Sequence, residues 1–146
     1  PKYKVTTTAD KHTDFSRLKT YVWETGWASY DRTAHDQIVA AVDRELASLG
    51  FTKGTEGHTD VTVVYASVRR TDVNLKSKTR GPDGERPTFP VATLVVLVRE
   101  PGTNKELFRA RSDTPIALES KTIEATIDHE VARMFARYPT RRSSHQ

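Results

Sequence analysis

The 146-residue chain contains no cysteine, which excludes a thiol nucleophile, a zinc knuckle and a disulfide framework within it. It fits a reducing or an oxidising compartment equally well. Long apolar runs are also missing. The longest, Val91 to Val98, contains Thr93 and stops at Arg99-Glu100, far short of the roughly 20 residues that span a bilayer. There is no signal peptide and no initiator methionine before Pro1, so the chain reads as a processed or trimmed product. No Gly-x-Ser-x-Gly elbow occurs, and Gly81-x-x-Gly84 lacks a following helix to supply phosphate-binding amides.

What remains is an ordinary globular composition. Charged residues make up 29% and the net charge is +4, too modest for the footprint of a nucleic-acid binder. A chain of this length hides about 68–70% of its unfolded surface and needs no metal or disulfide to hold a core.

Hydrophobic periodicity predicts the elements. Tyr3 to Thr8 is β-branched and weakly alternating, as an edge or second strand would be. Asp14-Phe15-Ser16-Arg17-Leu18 forms a tight turn, and Lys19 to Trp23 a strand ended by Gly26. Asp31 to Leu49 is a helix with Asp31 as N-cap and an apolar stripe of Ala34, Ile38, Val42, Leu46 and Leu49. Gly50 and Phe51 have the chemistry of a Schellman stop. Asp60 to Arg70 reads as a central strand, apolar on both faces and therefore packed on both. Val91 to Val98 and Glu106 to Ser112 form a hairpin around Pro101 to Asn104, with Leu107 sharing a face with Arg109 and Arg111. Ser120 to Tyr138 is the second helix, buried through Ile123, Ile127, Val131, Met134 and Tyr138, and Pro139 ends it.

The expected fold is α+β: an antiparallel or mixed sheet of about five strands, with both amphipathic helices on one face. Residues 1–139 form one domain and 140–146 a mobile polar tail. The Lys76 to Arg86 stretch, with Gly81, Pro82, Gly84 and Pro87, reads as a mobile extension.

No constellation carries chemistry. Asp128-His129-Glu130 gathers three ligand types, but consecutive helical residues diverge by about 100° and cannot share a metal. That trio reads as a solvated face, and His35-Asp36 and His58-x-Asp60 as idle surface pairs. Catalytic, metal and cofactor-binding residues are therefore expected to be absent, and the chain is not expected to be an enzyme. Arg69 to Arg86 carries six positive and three negative side chains. It suits either an anionic partner or a solvated loop and guarded strand edge. Arg133, Arg137, Arg141 and Arg142 complement the end of the second helix. Trp27 and Tyr30 are aromatics outside any core periodicity, fitting a partner interface or a local hydrophobic staple. Trp27, Tyr30, Arg69, Arg70, Lys76, Lys78 and Arg80 are the candidate interaction residues.

The residues also carry a resemblance. Asp14-Phe15-Ser16 followed by Lys19-Thr20-Tyr21-Val22-Trp23, the helix closing at Leu49-Gly50-Phe51, and Asp60 to Tyr65 resemble a family of predicted bacterial envelope lipoproteins, DUF4136. So do Thr93 to Val96, Leu107 to Ala110, and the closing Phe135 and Tyr138-Pro139. The chain departs from that pattern in its charged middle segment, in Phe108 for a common tryptophan and in Ala110 for a glycine. The resemblance implies export, a lipidated cysteine upstream of Pro1 and residence on the periplasmic side of the cell envelope. It implies no activity. A non-catalytic lipoprotein domain that binds a protein partner, as an accessory subunit of a membrane assembly, is the favoured expectation. The alternative is a carrier or sensor for an apolar or anionic small molecule held between sheet and helices.

Overall fold

The computed structural model describes residues 4–24, 32–115 and 120–141, with the backbone alone at 120 and 121. Six strands form one mixed sheet in the order β1-β6-β5-β4-β2-β3. They are β1 (Val5–Ala9), β2 (Thr20–Trp23), β3 (Thr52–Lys53), β4 (Val61–Val73), β5 (Thr88–Arg99) and β6 (Glu106–Pro115). Helices α1 (Arg32–Ser48) and α2 (Ser120–Phe135) cover one face. The sixth strand, β3, is the addition to the expected five. Two exposed residues leave no readable period, and only parallel pairing with Thr20 and Tyr21 makes them a strand.

The sequence segments explain the joints. Asp14 caps the 3-10 turn Phe15–Arg17 by accepting from the Ser16 amide at 3.1 Å and its hydroxyl at 2.5 Å. Asp60 accepts from the Lys19 and Thr20 amides, while the Thr20 hydroxyl accepts from the Asp60 amide, so the starts of β2 and β4 are tied together. The Schellman stop forms as expected: Gly50 adopts φ 92°, and the Phe51 amide donates to Leu46 and the Gly50 amide to Ala47. Asp31, read as the N-cap of α1, lies outside the described residues, as does Gly26.

Alternation divides the sheet cleanly. Val61, Val63, Tyr65, Leu94, Val96, Val98, Phe108 and Ala110 point toward the helices and join Ile38, Ala41, Val42, Leu46, Val131, Met134 and Phe135 in one core. Four aromatic rings meet Tyr138: Phe108 at 5.1 Å, Phe15 at 5.3 Å, Phe51 at 6.0 Å and Phe135 at 6.3 Å between centroids. The opposite face carries Val64, Ala66 and Val68 with no helix upon it among the described residues; Val64 is buried there as expected, whereas Ala66 and Val68 are exposed, so β4 is covered on both faces only in its first half. The apolar residues beyond Val64 do not report burial, because cover along a strand depends on how far its neighbours extend.

Two further expectations need correction. The register slips between Val98 and Arg99, and this bulge turns both Leu107 and Phe108 into the core. Leu107 therefore does not share the outer face of Arg109 and Arg111. On α2, Ile123 and Ile127 are only half-buried, whereas Glu130 is 6% exposed. Its carboxylate accepts from the Ser112 hydroxyl at 2.6 Å and from Arg133 at 3.2 Å, which satisfies the charge and lets it sit inside.

Candidate functional site

The long β4–β5 hairpin dominates the surface. Its strands pair from Thr62↔Arg99 out to Val73↔Thr88. β6 leaves β5 at Val91↔Pro115, and β2 leaves β4 at Trp23↔Val63. The outer part of the hairpin is thus a two-stranded arm. Pro90 sits in it opposite Thr71, where the missing N–H would face past the end of β6 and costs no ladder bond. The closing loop is knit locally, with the Asn74 amide donating to Pro87, Gly81 to Glu85 and Gly84 to Gly81.

The candidate residues do not form one patch. Arg69 and Arg70 are consecutive on β4, so they project to opposite faces. Arg70 lies on the outer face among Asp72, Thr93, Arg111 and Asp113, at 2.9 Å from Asp72 and 3.3 Å from Asp113. Asp113 feels burial, which raises its pKa, but hydrogen bonds from Thr93, Arg111 and Arg70 together with the charge of Arg111 outweigh it and hold the carboxyl below its ordinary value. Arg69 lies on the helix side, exposed and without an ion pair among the described residues. Lys76, Lys78 and Arg80 lie in the closing loop, where Arg80 donates to the Ser77 and Thr79 carbonyls and the two lysines make no ion pair among the described residues. Trp27 and Tyr30 lie outside the described residues. Sequence reasoning missed the apolar half of the arm: Val68, Val73 and Leu75 are exposed to 62%, 45% and 67%. The charges dominate this segment in sequence, and nothing in its period shows that pairing with β5 carries it beyond the body of the sheet.

A cleft of about 70 Å³ opens beneath the arm's root, between the sheet and the first turns of the helices. Ala34, Ile38, Leu94, Ile123 and Ile127 supply apolar walls, and Ser67 and Arg69 stand exposed at its mouth. A broader hollow of about 340 Å³ runs along Thr8 to His12 and Glu106 to Arg109. Three of its ionic groups are already engaged: Asp10 accepts from Thr13 at 2.5 Å with Lys105 3.5 Å away, and Arg109 pairs with Glu106.

The polar groups that sequence alone grouped as candidate ligands serve the fold. His35 is half-buried with its Nδ1 2.6 Å from the Tyr65 hydroxyl, and Asp60 fastens β2, so neither is idle. Asp128 pairs with Arg44 across the helices at 3.0 Å. Of the arginines at the end of α2, Arg137 donates to the Val5 carbonyl and Arg141 to Ser48 and Glu45, while Arg142 lies outside the described residues. Among the described residues no group of three or more potential ligands could hold a metal ion, and no helix is long and apolar enough to cross a membrane.

Several solved structures share this architecture. A PDZ domain protein from Parabacteroides distasonis ATCC 8503 is 17% identical with a TM-score of 0.62, over 94% of this chain and 35% of that one, so the present chain spans about a third of its length. PelC from Paraburkholderia phytofirmans, solved as a dodecamer, is 12% identical with a TM-score of 0.61, over 97% of this chain and 99% of that one. A minor lipoprotein from Acinetobacter baumannii is more remote, at 13% identity and a TM-score of 0.47 over 81% and 90% of the two chains. At such identities the likeness to the first two is one of fold alone. No curated protein matches. Residues 5–140 match the family described as a domain of unknown function (DUF4136). That match runs from β1 past the end of α2, and the chain belongs to the DUF4136 family.

Proposed function

We propose that this is a non-catalytic, lipid-anchored domain on the periplasmic side of the cell envelope, and that it binds a protein partner through the β4–β5 arm. The observation that carries the reading is the arm itself. Val73 and Leu75 are exposed within the segment Arg69 to Arg86, which carries six positive and three negative side chains, and the exposed Val68 stands just before it. Exposed aliphatics beside cations that make no ion pair among the described residues, Arg69, Lys76 and Lys78, suit a partner with apolar and acidic groups, because apolar burial supplies affinity and charge supplies orientation and approach. The envelope setting and the lipid anchor upstream of Pro1 rest on the family resemblance.

A small-molecule carrier fits less well. The cleft between sheet and helices has the right place, but about 70 Å³ is under a quarter of the roughly 300 Å³ at which ligand pockets begin.

Site-specific photocrosslinking in cells tests the partner. A photoreactive residue at Val73 or Leu75 should give one discrete adduct with another protein, weakened by salt, while the exposed Ala40 of α1 should give none. Equal labelling at Ala40, or no adduct at the arm, would overturn the reading. An alkyne-fatty-acid label on the natural protein, lost when the upstream cysteine is replaced, tests the anchor.

A further inference from the structure

Beyond Val63, β4 has no neighbouring strand on the side away from β5 among the described residues. Backbone direction there follows from two bonds. The Asn74 amide donates to Pro87 on β5, so by strict alternation Val68, Arg70 and Asp72 also turn their amides and carbonyls toward β5. The Glu24 amide donates to the Val63 carbonyl, so Val63 and every second residue after it turn the other way. Ser67, Arg69, Thr71 and Val73 therefore present backbone amides and carbonyls along an open edge, and none of these groups has a partner among the described residues.

We propose that this edge, Ser67 to Val73, is where the partner binds, by adding an extended segment as a further strand, with an aliphatic side chain in the cleft and an acidic one against Arg69. The inference rests on the partner reading above and specifies its geometry. Three independent features converge. The open edge offers four consecutive outward residues, enough for a short strand to pair. The side chains of those residues lie on the helix side, and two of them, Ser67 and Arg69, form the mouth of the apolar cleft. A side chain on the same face of an added strand points at that mouth. The cleft's volume, about half that of a cavity that admits benzene, suits a valine- or leucine-sized group rather than a whole ligand.

Charge decides the kind of partner. Arg69 has no counter-ion among the described residues, whereas Glu130, the acidic residue lining the cleft, is settled: it accepts from Arg133 and Ser112, with the exposed His129 3.9 Å away. Among the described residues one positive charge is left over at the mouth. A second copy of this chain would bring an equally basic arm to the edge and be repelled. An acidic, aliphatic segment is attracted.

Blocked hexapeptides alternating glutamate and valine, lysine and valine, and glutamate and valine with one central proline serve as probes, with amide and methyl NMR shifts as the readout. The glutamate peptide should give saturable shifts at the Ser67, Arg69 and Thr71 amides and the Ile123 and Ile127 methyls. The lysine peptide should bind at least tenfold more weakly, and the proline peptide not at all. Thr71→Pro removes an outward N–H without breaking a bond to β5 and should abolish binding. Arg69→Glu should reverse the preference between the two charged peptides, which keeps the test open should Thr71→Pro fail to fold. No saturable shift with any peptide, or binding indifferent to both substitutions, overturns the proposal. So does sedimentation showing a dimer paired through this edge. If arm crosslinks in cells survive Thr71→Pro, the partner reading stands and the edge geometry is wrong.

Discussion

Asp43 shows how much a single side chain organises. From α1 it accepts from the Tyr21 hydroxyl at 2.6 Å, the Trp23 indole at 2.8 Å and the Lys53 ammonium at 2.9 Å, tying the helix to β2 and β3. Burial first, and then Asp43 itself, push the Tyr21 phenol well above its usual range. Replacing Asp43 with alanine leaves the buried hydroxyl without its acceptor, and we expect a loss of about 2–4 kcal/mol in urea unfolding. A loss under 1 kcal/mol would mean that water takes the carboxylate's place. Tyr138 is the opposite case. Its hydroxyl is buried with no hydrogen-bond partner among the described residues, and burial raises its pKa strongly. Tyr138→Phe should therefore keep the four ring contacts and leave stability unchanged or higher by about 1 kcal/mol. Asp113 sets a pH dependence. Its folded pKa lies below the unfolded value, so its contribution is present above about pH 4 and disappears as pH falls through the folded value. Asp113→Asn should lower stability at pH 7 and flatten the acid limb of the stability–pH curve. An unchanged limb would remove the network on the outer face from the account.

At the scale of elements, α2 is buried unevenly along its length. Met134 and Val131 are fully covered, whereas Ile127 is half-buried beside the cleft. Met134→Ala should cost about 2–5 kcal/mol, and Ile127→Ala less than about 2, since part of its surface is already in water. The α2 stripe was legible from spacing, but the depth of each residue in it was not. That depth depends on how far the sheet extends beneath the helix. The arm makes the same point. Its charges and turn residues are visible in the sequence. What could not be read was the register, which pairs Val73 with Thr88 and sets which backbone groups face outward. Amide exchange should reveal that alternation directly, with Val68 and Arg70 protected and Ser67, Arg69 and Thr71 exchanging freely. Uniform protection along β4 would mean that the edge is covered.

For the whole molecule, sequence period and local capping chemistry determined the two amphipathic helices, the Schellman stop, the hairpin and the α+β class, because each depends on interactions within a few residues. The same local reasoning separated the candidate metal ligands on helical geometry, although it left the structural work of Asp60, His35 and Glu130 unseen. The tertiary structure decided everything that depends on separation in the chain: the β1-β6-β5-β4-β2-β3 order, the two-residue β3, and the bulge that buries Leu107. It also divided the candidate surface. Arg69 and Arg70 look like one basic pair in sequence, but a strand with a period of two sends them to opposite faces. Arg70 joins an ionic network with Asp72 and Asp113, and Arg69 lines the cleft without an ion pair among the described residues. A strand's faces become distinct surfaces only once the helices occupy one of them, which is a property of packing and not of local sequence.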